Sequence, residues 1–121
     1  MLDHVQVAAP PGCEAAARRF YGELLGLAEL EKPAALRARG GVWFSLGGGA
    51  QIHVGVAEPF VAAAKAHPGL RVSGDALDAL ARRLETAGVP VLWAPAGELP
   101  GVRRFFTSDS WGNRLELLAA T

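Results

Sequence analysis

A chain of 121 residues, half of them apolar and 20% charged, can bury one sizeable core, which excludes a disordered chain. Its 12 Lys and Arg balance 12 Asp and Glu, so it lacks the basic field that nucleic acid or an anionic membrane surface demands. A small molecule is the expected partner. The lone Cys13 excludes an internal disulfide and every cysteine-cluster metal site, and suits a reducing compartment. With no apolar run long enough to span a bilayer and no basic leader at Met1-Leu2-Asp3-His4-Val5, the expected location is the cytoplasm.

In chain order, Leu2 to Ala8 alternates as a β-strand and stops at Pro10-Pro11-Gly12. A helix is predicted from about Cys13 to Leu25, with Ala17, Phe20, Tyr21 and Leu24 at helical spacing and Gly26 at its end. Extended runs follow near 27–31, 35–39, 42–46 and 51–56, the last two joined by the turn Gly47-Gly48-Gly49. Residues 58–66 read as a connector with one helical turn. The pattern then restarts: an extended run at 67–72, a Ser73-Gly74-Asp75 cap, a helix over 76–87, and strands near 89–93, 102–107 and 113–118.

The restart is a repeat. Ala17-Arg18-Arg19 returns as Ala81-Arg82-Arg83, His4 as His67, Gln51-Ile52-His53-Val54 as Arg114-Leu115-Glu116-Leu117, and Trp43-Phe44-Ser45 as Phe105-Phe106-Thr107. Two βαβββ modules in tandem are therefore expected within one domain of residues 1–121: the first over about 1–57, a connector at about 58–66, and the second over about 67–121.

Because side chains alternate faces along a strand, each strand divides into two sets. Val5 and Val7 oppose His4 and Gln6; Ile52, Val54 and Val56 oppose Gln51 and His53; Pro68, Leu70 and Val72 oppose His67 and Arg71; Leu115 and Leu117 oppose Arg114 and Glu116. With the apolar sets under the helices, His4, His53, His67 and Glu116 all belong to the opposite, polar faces. Imidazole and carboxylate without thiolate suit a divalent ion such as Zn, Ni, Fe, Co or Mn, and three neutral His with one Glu leave such an ion a Lewis acid. Arg103 and Arg104 either clamp a substrate anion or form a solvated edge, and Trp43 and Trp111 either line a substrate cup or belong to the core.

Three segments carry a resemblance: Leu2-Asp3-His4-Val5, Phe20-Tyr21-Gly22-Glu23-Leu24-Leu25-Gly26-Leu27, and Asp109-Ser110-Trp111-Gly112-Asn113-Arg114-Leu115-Glu116-Leu117. The chain resembles the vicinal oxygen chelate superfamily of glyoxalases, bleomycin-resistance proteins and dioxygenases. The resemblance implies an α+β fold whose tandem βαβββ modules form a curled, incompletely closed mixed sheet, and a homodimer. It also implies a divalent metal ion on His4, His53, His67 and Glu116, with Glu116 available as catalytic base. Glyoxalase-like members usually carry Glu or Gln where this chain has His53. The implied activity is glyoxalase-like: metal-dependent lyase or isomerase proton transfer on a small oxygenated substrate through a metal-stabilised enediolate. Two alternatives stand beside it. One is a drug-binding protein of the bleomycin-resistance kind without catalysis; the other is an Fe(II) ring-cleaving dioxygenase using His4, His67 and Glu116.

Overall fold

The computed structural model describes residues 1–121 and forms two compact units, Met1–Ala62 and Ala63–Thr121. In the first unit, β1 (His4–Ala9) leads through Pro10-Pro11-Gly12 into α1 (Glu14–Ala17), then β2 (Glu29–Leu30), α2 (Ala34–Arg37), β3 (Val42–Gly47) and β4 (Ala50–Val56). The sheet order is β1-β4-β3-β2, with β1 parallel to β4 and the other pairs antiparallel. The second unit repeats this plan with β5 (Gly69–Arg71), α3 (Gly74–Thr86), β6 (Leu92–Trp93), β7 (Val102–Ser108) and β8 (Arg114–Ala120) in the order β5-β8-β7-β6. Both are open, mixed, four-stranded sheets, and helices are few, as expected for this α+β class.

The apolar phases make the cores. Val7, Phe44, Ile52 and Val54 are buried with Ala17, Phe20, Tyr21 and Leu24 in the first unit; Phe105, Leu115 and Leu117 are buried with Leu77, Leu80, Ala81 and Leu84 in the second. The two helices achieve this differently. α3 is a regular 13-residue helix whose Ser73 Oγ accepts the Ala76 N–H at 3.2 Å, capping one of its free amide groups. α1 has no side-chain cap and widens into a π-helical stretch, Arg18–Leu24, with the Leu25 N–H reaching the Phe20 carbonyl at 2.9 Å. The first helix is thus not the uniform α-helix that its periodicity predicts.

Three further expectations change. Residues 35–39 are not a strand: Ala34–Arg37 is a helical turn, because Pro33 presets its entry and Ala-Ala-Leu-Arg are strong helix formers in a stretch too short to display a period. The connector at 58–66 contains no helix; so few residues cannot repay helix nucleation without a face to bury. The repeat is also in a different frame at one strand. Phe44 pairs with Ile52 on the core face of β3, whereas the residue facing Leu115 on β7 is Thr107, so Val42, Trp43 and Phe44 correspond to Phe105, Phe106 and Thr107. The pairing of Trp43 with Phe105 is off by one residue, and a one-residue slip exchanges the two faces of a strand.

Gly41 closes the loop between α2 and β3. Its φ is +85°, and a Cβ there would lie 2.2 Å from the Val54 carbonyl oxygen, so only glycine fits. The Gly41 N–H donates to Glu14 Oε2 at 2.6 Å, and this bond, first among its causes, holds the Glu14 carboxyl below its usual range.

Candidate functional site

The strand registers bring the candidate residues together in pairs. In the first unit, parallel pairing sets Gln6 against His53, and the antiparallel pairing sets Trp43 against His53. The three rings Trp43, His53 and His4 form a stack: Trp43 and His53 are 3.8 Å apart and 2° from parallel, and His53 and His4 are 4.3 Å apart at 15°. His53 is 6% exposed inside this stack, and burial foremost, with the neighbouring His4 second, pushes its pKa down. Neutral His53 is the favoured form. Beside the stack lies a cavity of about 470 Å³, whose lining includes Gln6, Lys32 and Arg39. Gly55 forms part of its floor because the Gln6 amide lies across it; a Cβ there would meet Gln6 Oε1 at 2.7 Å.

The second unit places different chemistry at the same positions. Phe106 is paired with Glu116 across β7 and β8, and Glu116 with Gly69 across β8 and β5. His67 Nε2 is 3.3 Å from Glu116 Oε2, while Arg104 donates from one terminal nitrogen to Glu116 Oε1 at 2.9 Å and from the other to Glu98 Oε2 at 2.7 Å. Burial acts on Glu116 to raise its pKa, yet the Arg104 and His67 contacts prevail and hold the carboxyl below its usual range. The Phe106 ring has Arg104 and Arg114 over it at 5.3 and 4.2 Å and the His67 ring edge-on at 5.8 Å.

The hydrogen bonds fix which histidine nitrogens carry protons. His67 Nδ1 lies 2.8 Å from the Lys65 carbonyl, which only accepts, so Nδ1 donates and the neutral ring keeps a lone pair at Nε2. That lone pair faces a carboxylate oxygen. Two acceptors at 3.3 Å need a proton or a cation between them, and about 3.3 Å is also the separation of two donors on one tetrahedral zinc-sized ion at bond lengths near 2.05 Å. His4 follows the same pattern: Nδ1 donates to Asp3 Oδ2 at 2.7 Å and Nε2 remains open, an orientation typical of metal-binding imidazoles. His53 differs. Its Nε2 donates to Gln51 Oε1 at 2.8 Å, and its ring is parallel to that of His4, so their in-plane lone pairs do not converge on a shared point. In the second unit, His67 Nε2 and Glu116 Oε2 thus form a pair with the donor chemistry of a divalent-ion site, and in the first unit His53 is one ring of the stack. The structure contains no group of three or more His, Cys, Asp or Glu side chains in a geometry that could hold a metal ion.

Of the expected substrate contacts, Trp43 lines the first cavity, and Arg104 is on the face of Glu116 but has both terminal nitrogens committed to carboxylates. Arg103 is on the other face: it pairs with Asp78 of α3 at 2.9 Å and lies 5.0 Å over Trp93. Trp111 sits in the β7–β8 turn. There Asp109 Oδ1 accepts the Trp111 and Asn113 N–H groups at 3.0 and 2.9 Å, and Asn113 Nδ2 donates to Asp109 Oδ2 at 2.8 Å. The Asp-Ser-Trp-Gly-Asn segment is therefore a self-bonded turn that sets the β8 register and so the position of Glu116. Sequence reasoning did not single out Gln6, Lys32, Arg39 and Glu98; Gln6 and its polar phase were visible, but the other three lie in loops without a period. Cys13 is 2% exposed, and burial, then Glu14, raises its thiol pKa, which leaves it unreactive.

The comparisons agree with this architecture. The model of the glyoxalase/bleomycin resistance protein/dioxygenase superfamily matches residues 2–117, and the chain belongs to that superfamily. A Bacillus anthracis protein assigned to the glyoxalase family is 44% identical, with 100% of this chain and 95% of that one covered at a TM-score of 0.91. A glyoxalase/dioxygenase from Nostoc punctiforme is 18% identical, with 100% and 91% covered at 0.80. The fosfomycin resistance protein FosX from Listeria monocytogenes is also 18% identical, with 100% and 93% covered at 0.74. The last two likenesses establish the fold alone. No curated protein matches the chain. No helix is long and apolar enough to cross a membrane.

Proposed function

We propose that the chain is a glyoxalase-type, metal-dependent enzyme that performs lyase or isomerase proton transfer on a small oxygenated substrate, with His67 and Glu116 as donors to a divalent ion. The observation that carries this reading is the opposition of His67 Nε2 and Glu116 Oε2 at 3.3 Å while His67 Nδ1 is committed to the Lys65 carbonyl. A divalent ion there supplies Lewis acidity to adjacent substrate oxygens. Arg104 orients the carboxylate by holding Oε1, and the Lys65 carbonyl orients the imidazole. Glu116 is the only acid in β5, β7 and β8, so it is the carboxylate that accepts the substrate proton. The rings of Trp43 and Phe106 exclude water on either unit's polar face. A homodimer and a cytoplasmic location complete the reading; light scattering of the purified protein checks the dimer.

The test is the metal content and affinity of protein purified without an affinity tag. A divalent ion is expected to bind, with affinity falling at least about tenfold in His67→Ala and Glu116→Gln, and far less in His53→Gln. Unchanged affinity in those two variants contradicts the assignment. A binding protein without catalysis is the second reading. One observation favours it: with His67 protonated, Arg104 and His67 satisfy both Glu116 oxygens and no ion is needed. Absence of uptake in Zn and Mn titrations supports that reading.

A further inference from the structure

We infer that the first unit's cavity takes a small planar acid, its anionic group on Arg39 and Lys32 and its flat part continuing the ring stack over His4. This deepens the small-molecule reading above by naming the class of ligand, and it rests on that reading only for the claim that the polar face is where ligand binds.

Charge makes the first half of the argument. The charged side chains lining the cavity, His4 and His53 aside, are Lys32 and Arg39; no acid lines it. The two acids bordering it are committed: Asp3 to His4 Nδ1, and Glu14 to the Gly41 N–H. Of the cations around α2, Arg37 pairs with Glu31 and bonds the Lys32 carbonyl, whereas Arg39 pairs with no acidic side chain. Lys32 Nζ donates one bond to the Gly40 carbonyl, tying the loop over the cavity, and keeps two further N–H groups for a ligand. An unpaired guanidinium with an ammonium on the rim of an acid-free cavity selects an anion, and guanidinium matches carboxylate or phosphate oxygens in a bidentate way.

Shape makes the second half. Trp43 covers one face of His53, and His53 covers one face of His4, but the other side of the His4 ring has no ring partner and its side chain is 47% exposed. The stack therefore ends on an open π-face at the cavity. The Gly55 floor adds no side chain, and the Gln6 amide beside it offers both a donor and an acceptor. A flat conjugated body can slide along this floor onto His4, and about 470 Å³ suits a ligand of one ring with an acidic group.

The experiment is a titration of the full-length, metal-free protein with benzoate, phenyl phosphate and benzyl alcohol. The readouts are the NMR signals of the Trp43 indole N–H and the His4 and His53 rings. Benzoate and phenyl phosphate are expected to bind saturably and shift those signals, with benzyl alcohol at least about tenfold weaker. Arg39→Gln is expected to weaken benzoate by at least about tenfold, while Arg37→Gln, whose partner is Glu31, leaves it unchanged. Lys32→Met is expected to weaken it as well; because Lys32 also ties the Gly40 loop, the exposed Arg39 decides. The inference is overturned if benzyl alcohol binds as well as benzoate, if Arg39→Gln has no effect, or if the shifts centre on Trp93 or Trp111. Because no metal is present, a failure of metal binding leaves this result intact, and a failure of acid binding beside intact metal binding overturns the inference alone.

Discussion

The two units build the same constellation from different side chains. In register, His4, His53 and Trp43 correspond to His67, Glu116 and Phe106, so two replacements, carboxylate for imidazole and phenyl for indole, separate a ring stack from an ion-paired network. With two imidazoles and an indole, the first unit satisfies its polar face by stacking, and His53 is kept neutral by burial. With a carboxylate in place of that imidazole, the second recruits Arg104, and through it Glu98. The core phase of the strands is what the repeat preserves; the polar phase is free to diverge because it does not hold the fold together. One architecture thus presents a neutral stack beside a cationic cavity in one half, and an anionic donor in the other.

The largest way to break the comparison acts on the shared phase. Phe44→Ala and Phe105→Ala remove fully buried rings, and each is expected to cost about 3–5 kcal/mol in urea unfolding. A loss from only one of them means the two cores are not equivalent. The next acts on the position where the units diverge: His53→Glu puts a carboxylate into the stack with no Arg104 counterpart across from it. A loss of about 1–3 kcal/mol is expected in metal-free protein, and no loss would show that the stack contributes little.

The adjacent arginines separate the faces of β7. Arg104→Met strips a partner from the nearly buried Glu116 and is expected to cost about 1–3 kcal/mol, whereas Arg103→Met loses an exposed pair worth at most about 1 kcal/mol. Equal losses would contradict the register. Thr107→Val is the smallest change: the buried Thr107 Oγ1 has no hydrogen-bond partner, so a methyl group there is expected to stabilise by up to about 1 kcal/mol.

Acidity distinguishes the units as well. His53 has a folded pKa below its unfolded value of about 6.5, so the neutral ring's contribution is full above that pH and is lost as pH falls through the folded value. Glu116 has the same sign from a lower start: its contribution is full above about 4.5 and is lost as pH falls further. On acidification, the His53 ring signals are therefore expected to titrate with a midpoint below about 6.5. A midpoint above that value would contradict the assignment of the neutral ring to His53.

Much of this was legible in the chain itself. Alternation assigned the buried and polar sets of β1 and β8, whereas in β4 it held for Ile52 and Val54 but not for Val56, which is exposed at the strand end, or for His53, which is buried in the ring stack. Trp43-Phe44 and Phe105-Phe106 defeated the same reading: two adjacent aromatics make both phases apolar, so the frame between β3 and β7 slips by one, and with it the facing of Arg103 and Arg104. α2 carried no period to read, and its Pro33-Ala-Ala-Leu-Arg segment passes equally for a short strand edge. The candidate His and Glu residues were found from the polar phase. Whether their rings stack or oppose a carboxylate depends on side-chain rotamers and on Gln51, Asp3 and Lys65 as bonding partners, which no spacing encodes.

The most direct measurement is a zinc titration of the full chain followed by the ring nitrogen signals of its three histidines. The account predicts that Nε2 of His67 moves at one equivalent, that the His53 ring stays in place, and that Glu116→Gln removes the His67 response. A His67 signal indifferent to zinc, or one that still responds when Glu116 is replaced, contradicts it.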